Sequence, residues 1–520
     1  MAQLKDVNTT DVADGIRLGC RTMQRVFNAD DNNIPFFSAR AWPEASMEFM
    51  LPYTEAHVPG RHLLALLEAE NALGVEVSEE AIEKHAKAAF YAFSGPVALH
   101  LNRTELGGKP VYFADHNLRE GLHAMYALVK YRSHDRARQM AEACIRTIFE
   151  YWNADRGWDT PRLESLGVKP GLRTFIWGPG RSIGPLVKYY RATGYAPALE
   201  LAVILAQKAT DEFFRDDGAF DVQRFGYHTH STTCTLSSLA QLADLLGDAQ
   251  LMDRVKTFYD RGLWQIRDDL GWVVELADGG LNPDRGETNN TGDIVEAALI
   301  LGRWGHGGCY HDAERIVRCH LLPSQLRDVS FIAEPLNPTG EDGKRDVARR
   351  LRGAFGFPAP YGHRPIGIDF VDFNLDIVGG GVSSLCEVWR EAVRTDRSGH
   401  HVNLLFDHET DALRVESPYT HPHLRVTVKQ PAPLWVRIPP WVDRSRLSVD
   451  AGAQPVRQRG EYVLVADPPL GRPLEFRFDL TEQTLLLRHL KRDIRVRLLG
   501  DSVAAMDNFD AELTFFDPLS

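Results

Sequence analysis

The segment from 236 to 248, Leu236-Ser-Ser-Leu-Ala-Gln-Leu-Ala-Asp-Leu-Leu-Gly-Asp248, contains an apolar helical face followed by a helix breaker. Its leucines at positions 236, 239, 242 and 246 recur three or four residues apart, which predicts an α-helix that ends at Gly247. Similar endings recur at Ala72-Leu73-Gly74, Tyr131-Arg132-Ser133, Ala192-Thr193-Gly194 and Gly305-His306-Gly307. From Gly74 to Ser133, Gly194, Gly247 and Gly307 the steps are 59, 61, 53 and 60 residues. This repetition predicts stacked helix pairs, each followed by a long loop.

The number of pairs indicates how the helices close. A period of about 60 residues between roughly residues 45 and 395 gives six pairs, the number that closes an α/α toroid rather than an open solenoid. After about residue 397 the apolar period changes from 3.6 to 2, in the stretches 424–428, 435–438, 462–465 and 474–480. We therefore predict a mainly α protein in which an α/α six-barrel, residues 1–396, is followed by a β-sandwich domain, residues 397–520. The segment 481–520 is also strand-like.

Composition limits the class of protein. The 520 residues carry 59 basic and 71 acidic side chains, a formal net charge of −12, which argues against nucleic-acid binding. The first residues contain no apolar signal-peptide core, and no apolar stretch is long enough to span a membrane, so we expect a cytoplasmic enzyme. The six cysteines are scattered without a C-x-x-C pair, which favours buried free thiols over disulfides or a zinc knuckle.

Four polar segments stand just ahead of helices in consecutive repeats, and in a toroid such positions converge on the axis. The segments are Asp115-His116-Asn117 with Glu120, Trp177-Gly178-Pro179-Gly180-Arg181, Tyr227-His228-Thr229-His230, and Gly286-Glu287-Thr288-Asn289-Asn290-Thr291-Gly292-Asp293. Polar residues at helix starts are often N-caps, and we favour that role for Thr229 and Thr291. His228, His230 and Arg181 have side chains that rarely cap helices, so we expect these three residues to belong to a site.

Glu275 and Glu287 are the carboxyl groups best suited to acid–base chemistry. Glu275 lies in the apolar run Trp272-Val-Val-Glu275-Leu276, where burial would raise its pKa as a general acid requires. Glu287 follows 12 residues later, and glycoside hydrolysis uses two such carboxyl groups. The alternative is that Glu275 faces solvent from a short strand. His228 and His230 could bind a metal, but two ligands are weak evidence, so we predict no metal and no cofactor.

These features together resemble the β-L-arabinofuranosidase family of glycoside hydrolases, family 127. The resemblance covers about residues 60–480 and depends on the run Gly286-Glu287-Thr288 ahead of a helix and on Leu434-Trp-Val-Arg-Ile-Pro-Pro-Trp441 in the first sandwich strands. It implies an α/α six-barrel joined to β-sandwich domains. It also implies that the acid/base glutamate precedes the Gly-Glu-Thr run, which makes Glu275 the nearest candidate, and that His116 and His230 hold the sugar.

The family's metal site does not carry over to this sequence. In that family a Glu-Thr-Cys run and a later Cys-Cys pair hold zinc, and one of the later cysteines is the nucleophile. Here Asn289 stands in place of the first cysteine, the later pair falls near Gly379-Gly380-Gly381, and Cys386 comes several residues too late. A zinc-activated thiolate is therefore not expected.

We predict a glycoside hydrolase that acts on an oligosaccharide, with Glu275 as acid and Glu287 or Asp293 as base or nucleophile. The predicted binding residues are His116, Trp177, Arg181, Tyr227, His228, His230 and Asn289. One alternative is a polysaccharide lyase or sugar epimerase that uses Tyr227, His228 and His230. Another is a non-catalytic carbohydrate-binding protein. No nucleic-acid or membrane partner is expected, and the sequence leaves open whether the chain forms a homo-oligomer.

Overall fold

The computed structural model describes residues 3–278, 284–452, 454–488 and 492–519. Its helices are α1 Val12–Met23, α2 Thr54–Leu73, α3 Glu79–Ala92, α4 Leu118–Arg132, α5 Asp135–Tyr151, α6 Thr160–Ser165, α7 Ile183–Thr193, α8 Ala196–Glu212, α9 Val222–Phe225, α10 Thr229–Leu246, α11 Ala249–Asp260, α12 Thr288–Arg303, α13 Gly307–Ile316, α14 Val347–Leu351 and α15 Leu375–Ala392. Within the described ranges, no helix is long and apolar enough to cross a membrane.

The strands are β1 Ser38–Trp42, β2 Ser46–Glu48, β3 Asn102–Arg103, β4 Pro110–Phe113, β5 Trp152–Asn153, β6 Gly157–Trp158, β7 Lys169–Pro170, β8 Val371–Asn374, β9 Val393–Asp396, β10 Gly399–Val402, β11 His408–Glu409, β12 Leu413–Glu416, β13 Leu424–Val428, β14 Leu434–Arg437, β15 Ser448–Asp450, β16 Val456–Arg459, β17 Tyr462–Val465, β18 Pro473–Arg477, β19 Glu482–Arg488, β20 Asp493–Leu499 and β21 Ser502–Met506. The chain is thus mainly helical in its first three quarters and strand-rich in its last quarter, as the change of period predicts.

Six of the described helices form a closed inner ring, in the order α2, α4, α7, α10, α12 and α15. Each helix packs on the next, and α15 returns to α2. The inner helices pack in turn against the outer helices α3, α5, α8, α11, α13 and α1. Burial follows this arrangement, because α10 is buried at every residue from Thr229 to Ala243, whereas α5 buries only one face. The outer partner of α15 is α1, so α1 completes the outer layer of helices.

The predicted helix endings are confirmed at the inner helices. Gly74, Ser133, Gly194 and Gly247 follow α2, α4, α7 and α10 with φ values of 62°, 50°, 71° and 65°. This left-handed conformation ends a helix and turns the chain toward the next one. The turn after α12 contains Gly305 with φ 97°. These turns lead α2, α4, α7, α10 and α12 into the outer helix that follows each of them.

Two five-stranded sheets face each other in the C-terminal part, with strand orders β16-β17-β14-β10-β9 and β11-β12-β13-β18-β15. They enclose their own apolar core, which includes Val426, Val436 and Phe476. The sheet β19-β20-β21 differs, because its Leu487 and Val496 belong to the core of the helical part. Packing therefore groups the described residues of β19, β20 and β21 with the helices. The domain division between 396 and 397 stays a prediction.

Replacing Gly60 with alanine should destabilise the ring where α2 meets α4. A Cβ atom on Gly60 would lie 2.0 Å from the backbone oxygen of Glu120, so the two inner helices would have to separate. We expect the free energy of unfolding to fall by about 1–3 kcal/mol, the usual cost of overpacking. Gly308→Ala is the matched control, since Gly308 lies in α13 and its Cβ would meet no atom within 4 Å. Thermal melting of both variants checks this, and a Gly60→Ala variant that melts with the wild type would contradict it.

Candidate active site

The inner helices begin at one end of the ring, and none of the six has a side-chain hydrogen bond at its N-cap in the structure as described. The positive ends of their dipoles therefore lie together at that end. The four polar segments predicted from the sequence lie there, ahead of α4, α7, α10 and α12. We call the side chains that meet at this end the axial site.

The deepest part of the axial site is a carboxylate surrounded by three guanidiniums. Glu120 Oε1 accepts from Arg61 Nη2 at 3.0 Å, Arg181 Nη2 at 2.9 Å and Arg119 Nη1 at 3.4 Å. Glu120 is fully buried. Burial alone would raise its pKa, but the charges of Arg181, His57, Arg61 and Arg119 hold the pKa of Glu120 well below its ordinary value. We call these four charged residues, Glu120 with Arg61, Arg119 and Arg181, the arginine floor.

Two carboxyl groups of the fourth segment flank His230. Glu287 Oε1 lies 3.5 Å from His230 Nδ1, and Asp293 Oδ2 lies 3.4 Å from His230 Nε2. Asn289 Nδ2 donates to Glu287 Oε1 at 2.9 Å. Burial raises the pKa of Glu287 to about 8, with a further rise from the charge of Glu275, and burial raises the pKa of Asp293 to about 6. Glu287 therefore holds a proton at neutral pH.

Glu275 lies beside this group but has a cationic partner. Its carboxylate accepts from Arg285 Nε, and Arg285 Nη1 also donates to Asp372 Oδ1 at 2.7 Å. The guanidinium carbon of Arg285 lies 3.9 Å from the centre of the Phe357 ring. Burial raises the pKa of Glu275, as expected from the sequence, but the charge of Arg285 opposes the rise. Glu275 is thus an ion-paired carboxylate rather than an isolated acid among apolar side chains.

Aromatic and imidazole rings form one side of the axial site. The His57 and His116 rings stack with their centres 5.1 Å apart, and the His228 ring stacks on Trp177 at 5.0 Å. Tyr227 meets the Trp177 ring edge-on at 5.0 Å and is 41% exposed at the rim. Burial lowers the pKa of His116 well below its ordinary value and that of His228 to about 3. These two imidazoles are therefore neutral and can both donate and accept hydrogen bonds. We call these five residues the ring wall.

Arg181 is buried behind the ring wall. Its side chain is fully buried, and its Nη1 donates to the backbone oxygen of His116 at 2.6 Å while Nη2 binds Glu120. Arg181 therefore helps to fix the position of His116, and the substrate-binding role predicted for it stays a prediction.

The sequence reasoning missed the contributions of α2 and α15. His57 and Arg61 project from one face of α2, and Asp376 from the first turn of α15. Asp376 Oδ2 lies 3.4 Å from His57 Nδ1 and 3.3 Å from Arg61 Nε. A signal was present in the spacing of His57 and Arg61, since polar side chains four residues apart in an apolar helix share a face. Arg119, next to Glu120, was missed in the same way.

Two groups in the axial site have metal-ligand chemistry. The donor atoms of His228, His230 and Glu287 lie within 4.8 Å of one another, as do those of His230, Cys234 and Asp293. The family's thiolate-bound zinc does not fit, because Asn289 and Gly380 face each other where cysteines would stand. Cys386 is buried elsewhere on α15, and burial raises the pKa of its thiol well above the ordinary value.

Comparison with known proteins supports the fold. No protein-family model matches the sequence, and no curated protein matches it. Among solved structures, a GH127 β-arabinofuranosidase is similar with a TM-score of 0.57 at 13% identity over 94% of this chain and 79% of its own. A GH127 β-L-arabinofuranosidase from Geobacillus stearothermophilus T6 has a TM-score of 0.55 at 13% identity, covering 86% and 76%. A further glycoside hydrolase has a TM-score of 0.58 at 14% identity, covering 96% and 81%. The resemblance predicted from the sequence is thus confirmed as a likeness of fold.

Proposed function

We propose that the protein is a glycoside hydrolase that acts on an oligosaccharide, with Glu287 as general acid and Glu275 as its ionised partner. The observation that carries this proposal is a pair of neighbouring carboxyl groups in different environments. Glu287 is buried without a salt bridge to Arg or Lys among the described residues, whereas Glu275 is ion-paired to Arg285. A desolvated carboxyl group beside one that is paired with a cation is typical of an acid and its ionised partner. This assignment exchanges the roles predicted from the sequence.

The neighbouring side chains support such a reaction. Glu287 would protonate the leaving oxygen of the glycosidic bond, while the carboxylate of Glu275 would attack the anomeric carbon or activate a water molecule. Asn289 and His230 hold the carboxyl group of Glu287 in place. The neutral imidazoles of the ring wall suit the hydroxyl groups of a sugar, and the face of Trp177 suits its C–H groups.

Product analysis by NMR tests the reaction class. The purified protein is incubated with plant and bacterial oligosaccharides, including uronate-bearing ones, and new reducing ends are expected. An unsaturated uronide would indicate a lyase, and an epimerised sugar of unchanged chain length would indicate an epimerase, with Tyr227, His228 and His230 as the residues to test. Binding without turnover across the panel would favour a carbohydrate-binding protein. Each of these three results contradicts the proposed hydrolysis.

The pH dependence of kcat/KM should follow the protonation of Glu287. Because Glu287 must carry its proton and its pKa is about 8, kcat/KM should fall as the pH rises through about 8, by about tenfold per unit beyond it. An aryl glycoside, whose leaving group needs no protonation, serves as the control and should lose much of this decline. The measurement is kcat/KM between pH 5 and 10 for both substrates. A flat profile for the natural linkage up to pH 10 would show that Glu287 is not the acid.

A further inference from the structure

Arg61, in α2, contacts side chains from four other inner helices. Its Nη1 donates to Asn289 Oδ1 at 3.2 Å and its Nη2 to Glu120 Oε1 at 3.0 Å. Nη2 also lies 3.2 Å from His230 Nε2, and Nε lies 3.3 Å from Asp376 Oδ2. The side chain is only 4% exposed. These contacts hold the guanidinium of Arg61, itself part of the arginine floor, close enough to Glu287 and Asp293 for its charge to act on both.

Glycines of α15 make room for this guanidinium. A Cβ atom on Gly380 would lie 2.0 Å from Asn289 Oδ1 and 2.8 Å from Arg61 Nη1, and one on Gly379 would lie 2.7 Å from the Arg61 backbone. Any larger side chain at either position would displace Arg61 or Asn289. By the resemblance, the arabinofuranosidase pattern has its cysteines at Asn289 and near Gly379-Gly380-Gly381. The guanidinium therefore lies among the positions that supply thiolate ligands in that pattern.

The contact with His230 decides which of its ring nitrogens carries the proton. A guanidinium only donates hydrogen bonds, so His230 Nε2 is the acceptor and Nδ1 carries the hydrogen. Nδ1 faces Glu287 and Nε2 faces Asp293. A metal ion needs a free nitrogen lone pair. In the group with Glu287, His230 Nδ1 carries a hydrogen. In the group with Asp293, the lone pair of His230 Nε2 accepts the hydrogen bond from Arg61. A divalent ion there would also be repelled by the nearby guanidinium in a poorly solvated site.

We propose that Arg61 takes the place of a bound metal ion in this site, excluding divalent cations from both donor groups and positioning Asn289 and His230 around Glu287. The exclusion of metal does not depend on the reaction catalysed. The positioning of Glu287 rests on the proposed function. The two parts therefore have separate measurements.

Zinc binding tests the first part. Zinc is titrated into wild-type protein, Arg61→Lys and Arg61→Met in competition with a chromophoric chelator, and the metal content of each purified protein is measured. Arg61→Met, which removes the charge but keeps the length, should bind zinc at least about tenfold more tightly than the other two. Gly380→Ala is the second variant, because its methyl group would displace Asn289 Oδ1 or the guanidinium, which hold each other in place, and it too should bind zinc more tightly than the wild type. Purified wild-type protein with one equivalent of zinc, or equal zinc affinity in every variant, would overturn the proposal.

Kinetics with an oligosaccharide that the wild type cleaves test the second part. Arg61→Met should lower kcat far more than it changes KM, Arg61→Lys should recover most of the loss, and chelator should leave the wild-type rate unchanged. Equal kcat in Arg61→Met and wild type would overturn the positioning role. If no oligosaccharide is cleaved but the zinc results are as expected, the proposed function fails and the exclusion of metal stands.

Discussion

Replacing Glu287 with glutamine is expected to lower kcat/KM for the natural glycosidic linkage by about 100- to 10,000-fold, the usual contribution of a positioned acid. Glutamine keeps the size of the side chain, and its amide oxygen can still accept the hydrogen bond that Asn289 Nδ2 donates at 2.9 Å. What it loses is the proton that a carboxyl group with a pKa of about 8 supplies at neutral pH. The measurement is the initial rate of release of reducing ends, compared with the wild type at pH 7.

The controls separate chemistry from folding. Glu164→Gln changes an exposed glutamate of α6 and should leave both rate and melting temperature unchanged. Glu275→Gln should lower kcat/KM by a comparable factor, because it removes the ionised partner of the acid. If Glu275→Gln retains full activity, Glu275 has no part in the reaction, and if Glu287→Gln does so, the proposed acid is wrong.

Replacing Glu120 with glutamine is expected to cause a large loss of stability. The neutral amide would leave the guanidiniums of Arg61, Arg119 and Arg181 buried around one site without the carboxylate that they share. Removal of one partner from a buried charge network costs about 3–5 kcal/mol of the free energy of unfolding. Thermal melting and urea unfolding check this loss.

A matched substitution at the surface shows whether the loss of stability is due to the burial of the ion pairs. Glu150 forms an exposed ion pair with Arg162, and such pairs contribute about 0–1 kcal/mol. Glu150→Gln should therefore melt close to the wild type, while Glu120→Gln melts much lower. Similar melting temperatures for the two variants would mean that the arginine floor is not held together by Glu120.

The ring could be predicted because its signals are local. Gly74, Gly194 and Gly247 end inner helices at a regular interval, and a left-handed C-cap leaves a mark in the sequence where it occurs. The role of α1 had no such signal, since its contact with α15 joins residues more than 350 positions apart. The position of β19-β20-β21 was unpredictable for the same reason, because alternation shows which face is buried but not which core it joins.

Site residues could be predicted where polar side chains cluster at the start of a helix. They could not be predicted where they depend on contacts between residues far apart in the sequence. His116, Trp177, His228 and Glu287 were found by their common position in four repeats, and the structure brings them to one end of the ring. Arg61 was not predicted because its role in the site depends on contacts with Asn289 and Gly380, which are more than 200 residues away in the sequence. Partners of this kind become visible only when the helices are placed side by side.

The packing of α1 against α15 also has a consequence during synthesis. The first helix leaves the ribosome early, but its partner is complete only after residue 392 has been added. At a synthesis rate of about 5–20 residues per second, the apolar face of α1 stays without its partner α15 for tens of seconds. During that time the incomplete ring exposes surfaces that suit chaperone binding, and a second nascent copy could supply its own α15. Until α1 and α15 have packed together, the chain is therefore open to domain swapping at this contact.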